Sequence, residues 1–410
     1  MDSRLHRDLA LINAAGFLRS FGVGLIGVVL GIYLFRTGLS SFMIGLVIGA
    51  GLAGSVVATV VVSFAADRMG RRRSLLVLGV LSAIAGLALA WSPKLPVLVM
   101  MAFVAMLNGS GTDRSAAYAL EVAVIPGLVP DSRRTWGLAW YSVLLDGGGA
   151  LGALAAGVPI VLQHRLALSL VNSYRVVFLG YSALCLLGAV FYLFLSPSVE
   201  MATPQSLKKT AAGIAPETKR IVAKLTALFS LDAFGGGFLT DALVAYWFFR
   251  RFGVAESDLG TVFFAVHILN ACSHLGAAWL ARRIGLVNTM VFTHLPSSLC
   301  LVAVAFAPSF KWAVLFFFCR EALVEMDVPT RQSYVAALVR PHERTFASGV
   351  TNIARNLFWA AGSVAGGFLM QTVTFAAPLW VGSAAKITYD LLLYRSFRRV
   401  KAPEERGIAR

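Results

Sequence analysis

Fifteen charged side chains lie inside or at the edges of long apolar runs: the acids Asp113, Glu121, Asp146, Asp232, Asp241, Glu321, Glu325, Asp327 and Asp390, and the bases Arg19, Arg114, Arg320, Arg331, Arg355 and Lys386. In hydrocarbon each costs roughly 2.5–3.5 kcal/mol at mid-depth even on a lenient scale, so such groups line a wet cavity or pair with one another. The chemistry open to them is ion pairing and proton exchange, because a carboxylate binds protons differently in water and in a drier site beside a movable arginine. Glu321, Glu325, Asp232 and Asp146 are the candidates for the proton, and Arg19, Asp113, Arg114, Arg320 and Arg355 share their depth.

The densest stretch holds Arg320, Asp327 and Arg331 in one stripe at 100° per residue, with Glu321 and Glu325 as an i, i+4 pair beside it and Pro329 expected to bend the helix. Asp232 and Asp241 fall on opposite faces of an ideal helix unless Gly235, Gly236 and Gly237 interrupt it. His267 and His274 share a face, where a histidine either relays protons, touches a solute or packs with a hydrogen bond. Trp140, Tyr141 and Trp359 are the aromatic candidates for a solute pocket.

These side chains must be held by membrane-spanning helices. The chain has 410 residues, 58% of them hydrophobic and 14% charged, with a mean hydropathy of +0.76, which is too little polar surface to coat a globule in water. Apolar runs long enough to cross about 30 Å of hydrocarbon fall near 9–35, 42–66, 74–92, 97–122, 135–160, 174–196, 223–249, 258–281, 286–306, 311–339, 346–370 and 375–394. Their many Gly and Ala residues suit close helix contact, and alternating strands are not seen. A cleaved signal peptide is not expected, because no small-residue site follows a compact apolar core. Cys185, Cys272, Cys300 and Cys319 lie within spans without CxxC spacing, so they read as small apolar side chains, and no metal site is expected.

The net charge of +16 is distributed as a topology signal. Even-numbered loops carry Arg68, Arg71, Arg72, Arg73, Arg133, Arg134, Lys208, Lys209, Arg282, Arg283, Arg340 and Arg344, whereas odd-numbered loops carry only Arg36, Lys94, Arg165, Arg175, Arg250, Arg251 and Lys311. Both termini are therefore expected in the cytoplasm, and the basic excess addresses membrane lipid and not nucleic acid.

The chain also repeats itself. A shift of 215 aligns Gly22 with Gly237, Arg36 and Gly38 with Arg251 and Gly253, and Arg68 and Gly70 with Arg283 and Gly285; a shift of 210 aligns Arg134 with Arg344 and Gly152 with Gly362. The expected organisation is a six-helix bundle over 1–196, a cytoplasmic linker over 197–222, a second six-helix bundle over 223–394 and a basic tail over 395–410. Under the same shift Glu121 aligns with Arg331, which suggests a salt bridge across the halves involving Glu121, Asp327 and Arg331.

The loop Ser63 to Arg73 resembles the signature G-x-x-x-D-R-x-G-R-[RK] of the major facilitator superfamily, with Asp67, Arg68, Gly70, Arg71 and Arg72 in the matching places and Ser63 in place of the first glycine. A weaker echo, Arg282-Arg283-Ile284-Gly285, occupies the equivalent loop of the second half. The resemblance implies an all-α membrane protein of twelve transmembrane helices in two pseudo-symmetric bundles, a monomer without cofactor, that moves a small-molecule substrate by alternating access. It implies too that Asp67, Arg68 and Arg283 belong to a cytoplasmic gate, with Gly70 permitting the turn.

Proton-coupled export of a small organic solute across a plasma or bacterial inner membrane is the expected activity. The glycine-rich fifth span, Asp146 to Gly152, departs from the exporters' Gly-Pro-x-x-Gly-Gly pattern, so uptake of an organic anion is the alternative. A membrane-embedded enzyme using Glu321 and Glu325 as acid and base on lipid is a distant third, since the loops are too short to bind a head group or donor; without a P-loop or GxSxG element, ATP-driven transport and serine hydrolysis gain no support.

Overall fold

The computed structural model describes residues 3–91, 94–113, 115–130, 134–200, 214–340 and 343–400. Among them the regular structure is entirely helical, as an apolar solvent that cannot satisfy open backbone groups requires. The helices are α1 Ser3–Arg36, α2 Ser41–Met69, α3 Arg71–Trp91, α4 Leu95–Val104, α5 Ala116–Leu128, α6 Arg134–Leu154, α7 Val158–Leu166 and α8 Leu170–Leu193. They continue as α9 Pro216–Gly237, α10 Asp241–Phe252, α11 Glu256–Ile284, α12 Leu286–Phe306, α13 Phe310–Val324, α14 Asp327–Leu338, α15 Arg344–Thr372 and α16 Ala377–Phe397.

Among the described residues eight stretches are long and apolar enough to cross a bilayer: one each within α1, α2, α3, α8, α11 and α12, one running from α6 into α7, and one from α9 into α10. The other four expected runs fall on α4 with α5, α13 with α14, α15 and α16. Packing divides the chain into two compact units, Met1–Ala202 with Thr240–His267, and Thr203–Leu239 with Ile268–Arg410. The expected boundary lay in the linker 197–222, of which 201–213 is outside the described residues; α10 and the start of α11 pack with the first unit.

The internal repeat has a backbone counterpart. Gly38 and Gly70 have φ of 91° and 93°, and their partners under the 215 shift, Gly253 and Gly285, have 66° and 88°. Only glycine adopts these angles readily, so the repeat preserves turn geometry as well as residue type. Helix packing repeats too. A Cβ on Gly152 of α6 would sit 1.9 Å from the Phe21 carbonyl of α1, and one on Gly362 of α15 would sit 2.2 Å from the Phe234 carbonyl of α9. Backbones approach this closely only where both lack obstruction, the usual device of helix association in lipid.

Three expected spans are interrupted. Asn108-Gly109-Ser110-Gly111 breaks the fourth between α4 and α5, where Asn108 Nδ2 donates to the Thr112 carbonyl at 2.8 Å, the Ser110 amide donates to Asn108 Oδ1 at 2.9 Å, and Gly111 has a φ of 81°. Turn chemistry of this kind competes with the helix and satisfies the backbone that it frees. The seventh breaks at Phe238-Leu239-Thr240, just after the three glycines, and the tenth at Glu325-Met326. Pro329 does not make that last break: it lies in the first turn of α14, where the missing amide hydrogen is tolerated. Of the four cysteines only Cys185 is buried, while Cys272 and Cys319 are exposed on helix surfaces, so the expectation of four core thiols holds for one.

Candidate functional site

In the first unit the break between α4 and α5 places Asp113 beside Arg19 of α1. Arg19 Nε donates to Asp113 Oδ2 at 2.6 Å, and its Nη1 donates to Glu121 Oε1 at 3.2 Å while Nη2 bonds the other Glu121 oxygen. Tyr192 Oη donates to Glu121 Oε1 at 2.6 Å, and Tyr141 Oη donates to Glu121 Oε2. The side chains of Arg19, Asp113 and Glu121 are 11%, 1% and 0% exposed, so these charges are solvated by one another. The planar guanidinium fork suits the task, reaching two carboxylates at once. Asp113 Oδ1 also accepts the Ser115 amide at 3.0 Å, and Ser115 caps α5 through the Tyr118 amide at 3.1 Å. The helix start thus fixes the carboxylate that Arg19 reads.

In the second unit Asp232 of α9 is a hub. Lys386 Nζ of α16 donates to its Oδ1 at 2.8 Å, while Arg331 Nη1 of α14 and Arg355 Nη2 of α15 each lie 3.5 Å from Oδ2. Arg331 is also held by Asp327 at 2.5 Å, one helical turn away. His294 of α12 completes the network: its Nδ1 lies 3.0 Å from Asp390 and its Nε2 lies 3.3 Å from Lys386 Nζ. The ring thus faces the Asp390 carboxylate through Nδ1, and through Nε2 it faces both Lys386 Nζ and Asp232 Oδ1, the latter at 3.6 Å. Asp232, Asp327 and Asp390 thus share one network with Lys386, Arg331, Arg355 and His294.

The remaining candidates separate from these two clusters. Arg320 bonds its neighbour Glu321, and Asn270 of α11, with its amide turned to donate, reaches Glu321 Oε2 at 3.3 Å. The interruption at 325–326 therefore parts Arg320 from the expected stripe with Asp327 and Arg331, and leaves the half-buried Glu325 at the end of α13. Asp146 is half-buried on α6. His267 is buried with Nε2 3.8 Å from Oδ2 of Asp241, which lies at the start of α10. Of the aromatics, Tyr141 joins the Arg19 cluster whereas Trp140 is half exposed.

Glu121 and Arg331, matched under the internal repeat, each have partners inside their own unit: Arg19, Tyr141 and Tyr192 for Glu121, and Asp327 and Asp232 for Arg331. Lys386 and Asp390 were legible as intramembrane charges one turn apart, but His294 and Tyr192 carried no such mark. Arg114 lies outside the described residues, and the side chain of Asp67 outside the described side chains.

Around the signature loop, Arg68 is exposed in the last turn of α2 and Gly70 makes the turn. The amides of Arg71 and Arg72, the first two of α3, donate to the Glu200 carboxylate at 2.6 and 3.0 Å. An acid at a helix start satisfies orphan amides and the helix dipole together. Arg72 also donates through its guanidinium to the Leu193 carbonyl at the end of α8. Arg283, at the end of α11, lies over the Trp279 ring at 4.2 Å.

Buried carboxylate–guanidinium clusters inside interrupted helices of an all-helical membrane chain are the kind of site that a secondary transporter uses. The chain belongs to the Major Facilitator Superfamily, whose family model matches residues 12–363 and again 242–409. It is 26% identical to the uncharacterized membrane protein YJR124C of Saccharomyces cerevisiae over 97% of this chain and 95% of that one. Its fold is similar to that of the D-xylose-proton symporter, with a TM-score of 0.76 and 16% identity over 99% of both chains. It is similar also to the nucleoside transporter NupG, with a TM-score of 0.75 and 14% identity over 95% and 99% of the two chains. The inward-open xylose transporter XylE of E. coli matches with a TM-score of 0.74 and 15% identity over 98% of both chains.

Proposed function

We propose that this protein is a proton-coupled secondary transporter that carries a small organic solute by alternating access, with no catalytic step. The observation that carries the reading is the pair of buried charge clusters, around Arg19 in one unit and around Asp232 in the other. Charges so placed are costly, and transport gives them work: a carboxylate that exchanges its basic partner for a proton releases that partner to a solute or to a second arrangement of the helices. Asp113 is best placed for the exchange, since Glu121 is held by three donors while Asp113 has Arg19 and one backbone amide. Glu321, beside Arg320 and Asn270, is the corresponding carboxylate on α13.

The fold likeness to a D-xylose-proton symporter supports proton coupling. Export of an amphipathic solute by a monomer is the first reading, although α6 is glycine-rich without the exporters' full pattern; the loop charges support cytoplasmic termini. Uptake of an organic anion is the second, favoured by the arginine-lined cavity described below. The test is reconstitution in liposomes with an imposed pH gradient and a panel of sugars, nucleosides, peptides, organic acids and amphipathic cations. Gradient-dependent flux of one class, abolished by a protonophore, is the expected result. No flux across the panel overturns the transporter reading, and flux indifferent to the gradient overturns proton coupling.

A further inference from the structure

We infer that the second unit holds an oxyanion-binding site, a cavity of about 110 Å³ that takes a carboxylate or phosphate group. Three guanidinium-bearing residues line it, Arg331, Arg344 and Arg355, together with Ser348, Asn352 and Phe229. Among the described residues no carboxylate lines it; Asp327 and Asp232 touch the arginines from outside the lining. The volume is well above the roughly 10–15 Å³ that admits one water, so a small oxyanion enters with part of its hydration shell.

Further observations point to a ligand. Arg355 Nε is buried without a hydrogen-bond partner, a donor held ready at a cost that a bound acceptor removes. Its Nη2 is only loosely engaged, 3.5 Å from Asp232. Ser348, Asn352 and Arg355 recur at helical spacing on α15, where Asn352 Nδ2 donates to Ser348 Oγ at 3.3 Å. Arg344 opens the same helix, whose dipole favours negative charge at that end. Arg331 is oriented from behind by Asp327 and lies over the Phe229 ring at 5.5 Å. Several guanidiniums with hydroxyl and amide donors between them are the chemistry that reads a carboxylate or phosphate, and a neutral sugar draws little from it.

Two sources carry such a group, a soluble organic anion and an anionic lipid headgroup. The site itself does not depend on the transporter reading; only naming the soluble anion as cargo does. The experiment uses the full chain in nanodiscs of phosphatidylcholine alone or with phosphatidylglycerol, and titrates inorganic phosphate, succinate and xylose by calorimetry and thermal shift. Saturable binding of phosphate or succinate in phosphatidylcholine, uncompeted by xylose and weakened at least about tenfold in Arg355→Gln, supports the site with a soluble ligand. Because Arg355 also contacts Asp232, Ser348→Leu supplies an exposed substitution that fills the cavity without touching the hub, and the same loss is expected. If only phosphatidylglycerol stabilises the protein and both variants lose that stabilisation, the site stands with lipid as its ligand. If no anion binds in either disc, or both variants bind as the parent does, the site is overturned. Intact succinate binding without gradient-driven succinate flux overturns the cargo assignment alone.

Discussion

Asp232 Oδ1 and Lys386 Nζ, 154 residues apart in the chain, meet at 2.8 Å inside the second unit. The contact joins α9 to α16 and anchors the network in which His294, Asp390, Arg331 and Arg355 find their partners. Exposure of 3% for Asp232 and 6% for Lys386 means that water does not compensate either charge if the other is removed.

Asp232→Asn should therefore lower the melting temperature of the detergent-solubilised protein sharply, because breaking a buried pair from one side costs about 3–5 kcal/mol. The informative variant is the double one, Asp232→Asn with Lys386→Met. If the pair is a unit, the double variant is more stable than the sum of the singles requires; additive losses would show that the two charges act independently.

Composition, hydropathy and loop charge made the helical membrane architecture legible, since each follows from what hydrocarbon and the inner surface demand of a chain. The signature loop was legible because Gly70 and its arginines stand close together in sequence. The clusters were legible only as a membership roll. Arg19, Asp113 and Glu121, or Asp232, Arg331 and Arg355, stood out as charges out of place, but their pairing depends on which helices pack, and similar apolar helices leave no mark of that. The pseudo-symmetric match of Glu121 with Arg331 gave no hint of the partners each has inside its own unit, Arg19 with Tyr141 and Tyr192 for the one and Asp327 with Asp232 for the other. His294 and Tyr192 were missed because a lone histidine or tyrosine in a span has an ordinary packing use. Their roles come from Lys386, Asp390 and Glu121, which only the fold brings near.

Arg19→Lys should abolish most gradient-driven flux while leaving the protein folded. The guanidinium serves Asp113 through Nε and Glu121 through both Nη atoms, and an ammonium cannot span that geometry. A charged hydrogen bond lost here is worth about 1.5–3 kcal/mol, or at least about tenfold in rate if the transport cycle uses it. Size-exclusion behaviour and flux measured on one preparation check this. Parent-like flux would place the Arg19 cluster outside the transport cycle.

Glu200→Ala tests whether the signature loop is held in place from the end of the first bundle. Its carboxylate accepts the Arg71 and Arg72 amides, and Gly70 beside it leaves the room: a Cβ there would sit 3.0 Å from Glu200 Oε1. Glu200 is exposed, so the stability cost is small, about 0.3–1 kcal/mol. The larger effect is expected in conformation. A single cysteine placed at Arg68 should be labelled faster by a membrane-impermeant maleimide in the Glu200→Ala background, and equal labelling would leave the acid a cap without influence on the loop.

The closest backbone approaches make the sharpest test of the packing itself. A Cβ on Gly54 of α2 would lie 1.8 Å from the Phe103 carbonyl of α4, so even alanine forces the two helices apart. Gly180 of α8 has nothing within 4 Å of its notional Cβ, and alanine there has only propensity to change. Gly54→Ala is expected to cost about 1–3 kcal/mol through overpacking and to melt several degrees below the parent. Gly180→Ala should melt with the parent or slightly above it. Both glycines sit in apolar helix interiors, so propensity, hydropathy and insertion cost change alike in the two variants, and only helix contact differs. Equal melting temperatures for the pair would mean that α2 and α4 do not pack through Gly54.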